Sequence, residues 1–392
     1  MAGPLDGIRI VELGGIGPAP FCGALLADLG ADVVRIDRAT PPEFLPSAFD
    51  VYNRNKRSIV LDLKRPEGRA AALRLAGAAE ALLEGFRPGV AERLGVGPED
   101  ARRANPRLVY GRMTGWGQDG PLAQAAGHDI DYAAITGALH CIGNAGQAPA
   151  PPLNLVADLG GGAMYLAVGV LAALHEVRRS GQGQVVDAAM VDGVVNLLSV
   201  FYAFRHLGEW SDGRGENLVD GGAPYYGTYR TRDGKYVAVG ASEPQFYATL
   251  VEALGLDART LPDRDDRAAW PELRRRFAAA FAKRSRDEWV AHMDGRDACF
   301  APVLDLDEAP RHPHLVARRS FETFEGVQQP APAPRFSRTP GVLRRSPPRA
   351  GQHSGEVLLE WGFRPEEIQG LRASGVLQET QGAAPAARRS TP

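Results

Sequence analysis

The sequence predicts an α/β fold, a doubly wound parallel sheet followed by a second, smaller domain. Three observations carry this. Short β-branched runs alternate with helical stretches through about the first 115 residues, which is βαβ grammar. A long apolar helix and a further strand-to-helix unit extend that region. From about Trp210 the texture changes to Gly-rich turns, aromatics and a hairpin signal.

Taken in order, the alternation runs IRIVEL, FCGALLADLGA, DVVRID, SIVLDL, EGRAAALRLAGAA, EALLEGF and RLVYGRM. A helix is expected from about Gly160 to Arg179, with Gly181 as its stop. QVVDAAM then reads as a strand feeding another apolar helix. Beyond Trp210, TYRTRDGKYVAV is a hairpin with its turn at Arg-Asp-Gly. EPQFYATLVEALG and WPELRRRFAAAFAKRS read as helices, and QQPAPAPRFSRTPG as a linker or return path. The expected division is a large domain over 1–200 completed by about 325–377, a linker and small domain over 201–324, and a disordered tail over 378–392.

Composition narrows the function class. Hydrophobic residues are 44% and charged residues 23% of 392, which is ordinary globular usage. The net charge of −2 gives no general attraction to nucleic acid or anionic lipid. Cys22, Cys141 and Cys299 lack metal or disulfide spacing, and the histidines lack partner spacing, so no metal site is expected. The apolar run AMYLAVGVLAAL is too short for a membrane span, and no secretory leader is visible. A cytoplasmic protein is expected.

VELGGIGPAPFCG, with Asp37 ending the next strand, approaches a dinucleotide-binding layout. It fails at the third glycine, and Pro18 and Pro20 remove backbone donors from the turn that would cradle a pyrophosphate. A different ligand chemistry is nearer. Arg38, Arg54, Lys56, Arg57 and Lys64, with Arg87 and Arg93, cluster in loops that such a sheet could gather on one rim. That suits several phosphates.

LADLGADVVRID, NRNKRSIVLDLK, EGFRPGVAERLG, MTGWGQDGP, AGHDIDY, PPLNLVADLGGGAMY, GQVVDAAMVDG, GGAPYYGTYRTRDGKYVAVGASEPQFY and PAPRFSRTPG together resemble the family III CoA-transferase (CaiB/BaiF-like) superfamily. Within it they resemble the racemases of 2-methylacyl-CoA thioesters. The resemblance implies a large domain with a Rossmann-like core, a smaller α+β domain and an interlocked homodimer. It implies acyl-CoA as substrate. No separate cofactor is expected, since a thioester itself acidifies the neighbouring carbon. The net charge and the apolar run lengths leave no nucleic acid or membrane partner expected. His128 and Asp158 fall on the acid/base positions, Glu243 behind the histidine and Asn154 near the aspartate. Ile16, Arg38, Arg57, Leu61, Lys64, Arg87, Arg93, Asp129 and Tyr132 fall on the CoA side.

The residues suit that chemistry. Inverting the carbon beside a thioester carbonyl requires one acid/base group on each face of a planar enolate. His128 precedes IDYAAITGAL and Asp158 precedes GGGAMYLAVG, so both are expected at helix starts, where backbone donors and the helix dipole would keep Asp158 ionised. The run Gly160 to Gly162 is expected to admit a ligand pressed against that turn. The alternative is a CoA-transferase with Asp158 as nucleophile, for which His128 has no use. A non-catalytic CoA-binding scaffold would need the basic rim but not the set His128, Asp158 and Glu243.

Overall fold

The computed structural model describes residues 3–40 and 45–379. By contact the chain divides into two compact units, Met1–Tyr132 with Asn154–Asn196 and Arg319–Pro392, and Ala133–Leu153 with Leu197–Arg318. Of the tail expected over 378–392, residues 380–392 lie outside the described ones. Gln378, its first residue, is in a strand.

The first unit is built on β1 (Arg9–Leu13), β2 (Asp32–Asp37), β3 (Arg57–Leu61), β4 (Ala81–Glu84), β5 (Val109–Thr114) and β6 (Val185–Ala189). They lie in the order β3-β2-β1-β4-β5-β6, all parallel, and Leu377–Gln378 adds an antiparallel strand beside β3. A sheet covered on both faces wants nearly continuous apolar strands, and β3 and β5 are buried at every position. On one face Val11, Leu13, Val34, Ile36, Ile59 and Leu61 share a core with residues of helices Pro66–Gly77 and Ser354–Glu360. Each such side chain contributes about 1.5–3 kcal/mol by leaving water. Helices Pro18–Asp28 and Met164–Ser180 cover the other face. Gly111 of β5 permits the second of these to close in, since a Cβ there would stand 2.9 Å from Leu166 Cδ1 and 3.1 Å from Val170 Cγ2.

The long helix begins earlier than its sequence suggests. Leu155–Ala163 is a π-helical segment that runs directly into Met164–Ser180, and Gly181 ends it in the left-handed region at φ 75°. The continuous piece Leu155–Ser180 is 26 residues and contains an 18-residue stretch with a mean hydropathy of 1.7, so by length and composition it is long enough and apolar enough to cross a membrane. The run AMYLAVGVLAAL alone does not reveal that, because the π segment adds apolar length ahead of it. Leu166, Val170 and Val177 on its inner face are nonetheless buried within the unit.

The second unit carries the antiparallel sheet β7 (Tyr226–Arg230), β8 (Tyr236–Gly240) and β9 (Phe300–Pro302). The β7 to β8 hairpin turns through the Arg-Asp-Gly sequence as expected. Helices Pro244–Ala253, Trp270–Phe281 and Arg286–Met293 supply its core, with Phe277, Phe281 and Leu273 fully enclosed.

Candidate active site

In open parallel sheets ligands settle beyond the carboxyl ends of the strands, where the strand order reverses. Here that point lies between β1 and β4. The loops after β1, β4 and β5 line a cleft of about 310 Å³, whose walls include Ile16, Gly17, Phe86, Arg87, Trp116, His128, Tyr132 and Asp158. A second cavity, of about 640 Å³, lies past the ends of β2 and β3 and is lined by Asp37, Arg38, Leu61 and Lys64, with Phe86 in its wall as well. Expected CoA-side residues thus fall in two cavities that share one side chain.

His128 directly precedes helix Asp129–Ile135. Its backbone N–H donates to Asp131 Oδ2 at 2.9 Å, so Asp131 fastens the turn and leaves the exposed imidazole on the cleft. Tyr132, one turn on, is buried edge-on against Trp116 at 4.7 Å, and its hydroxyl donates to the Gly127 carbonyl. Burial first, then the charges of Asp158 and Asp131, push the Tyr132 phenol up to about 12. Tyr132 therefore acts as a neutral wall.

Asp158 stands in the π-helical turns rather than ahead of the helix. Such i to i+5 turns widen the helix and occur often at functional sites. Its carboxyl is pushed above the ordinary aspartate value by burial and then by Asp129, against the hydrogen bond from Asn154 and the charge of His128. Two of the helix-start donors expected to serve Asp158 are taken by Asp129, whose Oδ2 accepts the N–H groups of Ala157 and Asp158 at 2.8 and 2.7 Å. Gly17, at φ 77°, brings the loop after β1 close, and a Cβ there would lie 3.9 Å from Asp158 Oδ2.

Part of the glycine run is also required by packing within the protein. A Cβ on Gly193 would fall 1.8 Å from the Gly161 carbonyl oxygen, and one on Gly162 would meet Met190 Cγ at 2.9 Å. Helix Met190–Leu197 presses on that turn.

Much of the basic cluster is also spent internally. Arg57 sits at the amino end of β3, away from the cleft rim, and donates to Asp32 at 3.0 and 2.6 Å and to Glu360 at 2.5 Å. Arg54 is paired with Asp28, and Lys56 with Glu12. Arg93 ends the single-turn helix Val90–Arg93 and lines neither cavity, although Val90 does. Arg38, Lys64 and Arg87 are the expected cations that do face the cavities. Glu243 lies in the second unit at the N-cap of Pro244–Ala253, and its side chain makes no capping hydrogen bond, so the simple capping role fails.

Sequence reasoning missed Trp116, Phe86 and Tyr52. Tyr52 packs edge-on against Phe21 at 5.1 Å, and the Asn154 side chain pulls down both its phenol and the Asp158 carboxyl. Nothing in the local pattern of Tyr52 announces that contact. For Trp116 the signal was its place in a turn directly after a strand.

The chain is similar to known proteins in sequence and fold. The pattern of CoA-transferase family III matches residues 5–354. An alpha-methylacyl-CoA racemase of Mus musculus is 47% identical over 378 residues, covering 95% of this chain and 97% of that protein, and one of Homo sapiens is 45% identical, covering 96% and 98%. A succinyl-CoA–D-citramalate CoA-transferase of Chloroflexus aurantiacus is 32% identical, covering 95% and 98%. Among solved structures, a CAIB/BAIF family protein from Brucella suis superposes with a TM-score of 0.78 at 26% identity, covering 92% of this chain and all of that one. A chain with this strand order, this cleft and these relatives along its length belongs to CoA-transferase family III.

Proposed function

We propose that the protein is an isomerase that interconverts the (R) and (S) forms of 2-methylacyl-CoA thioesters by two-base 1,1-proton transfer. The racemase relatives match at 45–47% identity over nearly the whole chain, against 32% for the citramalate transferase. The observation that carries the reading is that His128 and Asp158 line one cleft. One of them removes the proton from C2, the carbonyl holds the charge as an enolate, and the other returns a proton to the opposite face. The thioester acidifies C2, so no metal or redox cofactor is invoked. The nucleotide end of CoA would take the cavity of Arg38 and Lys64, and the thioester the cleft of Arg87 and His128.

Glu243 is assigned the orientation of the His128 imidazole, fixing its tautomer and supporting its protonated form. Asn154 is assigned the polarisation of Asp158. Two chains are proposed to work as an interlocked homodimer, the second unit of one serving the cleft of the other. Exposed apolar side chains such as Val168 on the long helix, and Val200 and Tyr202 on Ser199–His206, suit such an interface.

A family III CoA-transferase with Asp158 as nucleophile is the second reading, favoured by the transferase relatives. Deuterium incorporation at C2 of a 2-methylacyl-CoA in heavy water, without a carboxylate acceptor, separates the two. Exchange with inversion supports the isomerase. Absence of exchange, with CoA passing to an added acid, overturns it.

A further inference from the structure

Asp129 was expected to touch CoA, but its carboxylate points into the protein. It follows His128 directly and is 6% exposed. Oδ2 accepts from the Ala157 and Asp158 backbone N–H groups, and Oδ1 is buried with no hydrogen-bond partner among the described residues. A half-satisfied buried carboxylate destabilises a fold. An asparagine oxygen in the same place would accept the same two hydrogen bonds without the charge.

That charge acts on Asp158. The N–H groups at a helix start ordinarily favour a nearby anion, and Asp129 takes two of them. The other groups around Asp158 are His128, Asn154, Tyr52 from the turn Val51–Asn53, Tyr132, and the loop at Gly17. Burial and Asp129 favour the protonated carboxyl, whereas Asn154 and His128 favour the ionised one.

We propose that Asp129 is a positioning residue for Asp158: its buried carboxylate pins the backbone that carries Asp158 and, as a like charge on the helix-start donors, keeps Asp158 able to hold a proton. This rests on the isomerase reading, in which Asp158 must arrive protonated for one enantiomer and ionised for the other. A nucleophilic aspartate would need only the ionised form, and a neighbouring carboxylate would work against it.

The test is the pH profile of kcat/KM for C2 inversion in the wild type and in Asp129→Asn, with KM and thermal midpoint as controls. The expected result is an acidic limb moved down by at least about half a pH unit, with KM changed less than about threefold. A purely structural role would lower the midpoint and leave the limb in place, which overturns the proposal. Direct titration of the wild type needs no variant fold except for assignment: carboxyl-labelled aspartate is followed by NMR, and the Asp158 signal is identified by its loss in Asp158→Asn. Titration above the ordinary aspartate value of about 3.9 is expected, and titration at or below it overturns the proposal. Failure of the isomerase reading has a separate signal, since the wild type would then show no C2 exchange at any pH.

Discussion

Lys56 Nζ stands 2.7 Å from Glu12 Oε2, and neither side chain is reached by solvent. The ammonium also donates to the Pro20 carbonyl at 2.8 Å and to Asn53 Oδ1 at 3.1 Å. Burial pulls the lysine below its ordinary value and Glu12 opposes that. Removing one partner of such a pair leaves an uncompensated buried charge, which costs about 3–5 kcal/mol. Lys56→Met should lower stability by that amount in urea unfolding, and the double variant with Glu12→Gln should recover most of it. Because Pro20 is in the first turn of a helix whose start lines the cleft, the single variant should also raise KM.

His128→Ala should reduce C2 exchange by about 10²–10⁴-fold, the usual contribution of a positioned acid/base group. The imidazole is exposed on the cleft, and among the described residues the hydrogen bonds at this position are made by its backbone, with Asp131 and Tyr132. The thermal midpoint and the dissociation constant for CoA should therefore stay close to wild type. Glu243→Gln should be milder, since orientation is lost but the imidazole remains. Isothermal titration with CoA and NMR detection of deuterium at C2 check both.

The raised proton affinity of Asp158 has a consequence for stability. A carboxyl that holds its proton more tightly folded than unfolded adds stability below the unfolded value, and this is lost as pH rises through the folded one. At neutral pH the ionised Asp158 therefore opposes folding. Asp158→Asn should be more stable than wild type at pH 7, and the difference should shrink as pH falls through the folded value and be gone below the unfolded value of about 3.9. Chemical unfolding at both pH values, alongside loss of C2 exchange, checks it.

The basic residues divide into two classes that mutagenesis should separate. Arg38 and Lys64 line the cavity past β2 and β3, whereas Arg57 bridges β3 to Asp32 and Glu360. Lys64→Ala and Arg38→Ala should each raise KM for CoA thioesters by about tenfold, equivalent to about 1.4 kcal/mol, with little change in the unfolding midpoint. Arg57→Ala should do the reverse. Steady-state kinetics and thermal unfolding on the same preparations decide.

What the sequence made legible follows from how local each signal is. The alternation of β-branched runs and helices reports burial on a covered parallel sheet, and the observed strands fall in those runs. Gly181 and the Arg-Asp-Gly turn mark their stops because backbone conformation there depends on single residues. The cleft residues His128 and Asp158 were legible only through the many matched motifs. The destination of a long cation was not: Arg54, Lys56 and Arg57 look like rim residues in NRNKRSIVLDLK, yet their partners Asp28, Glu12 and Asp32 lie on other elements. The same limit hid Asp129, whose hydrogen bonds reach Ala157 and Asp158 across the fold.

The last contact of this kind gives the most severe substitution. Helix Met190–Leu197 crosses the π-helical turn so closely that a Cβ on Gly193 would overlap the Gly161 carbonyl, at 1.8 Å, and stand 2.8 Å from its Cα. Both obstacles are backbone, so no side-chain rotation relieves them. Gly193→Ala must separate the helix from the turn, and overpacking of this type costs about 1–3 kcal/mol or more. The displaced segment is the one that carries Asp158 and donates two backbone hydrogen bonds to Asp129. The variant should therefore lose stability and at least about tenfold in kcat. Gly17→Ala makes a comparison at the same carboxylate: its added methyl lies 3.9 Å from Asp158 Oδ2, and its cost arises from φ 77° rather than from overlap. A Gly193→Ala protein with wild-type midpoint and exchange rate would show that the crossing has room the structure does not give it.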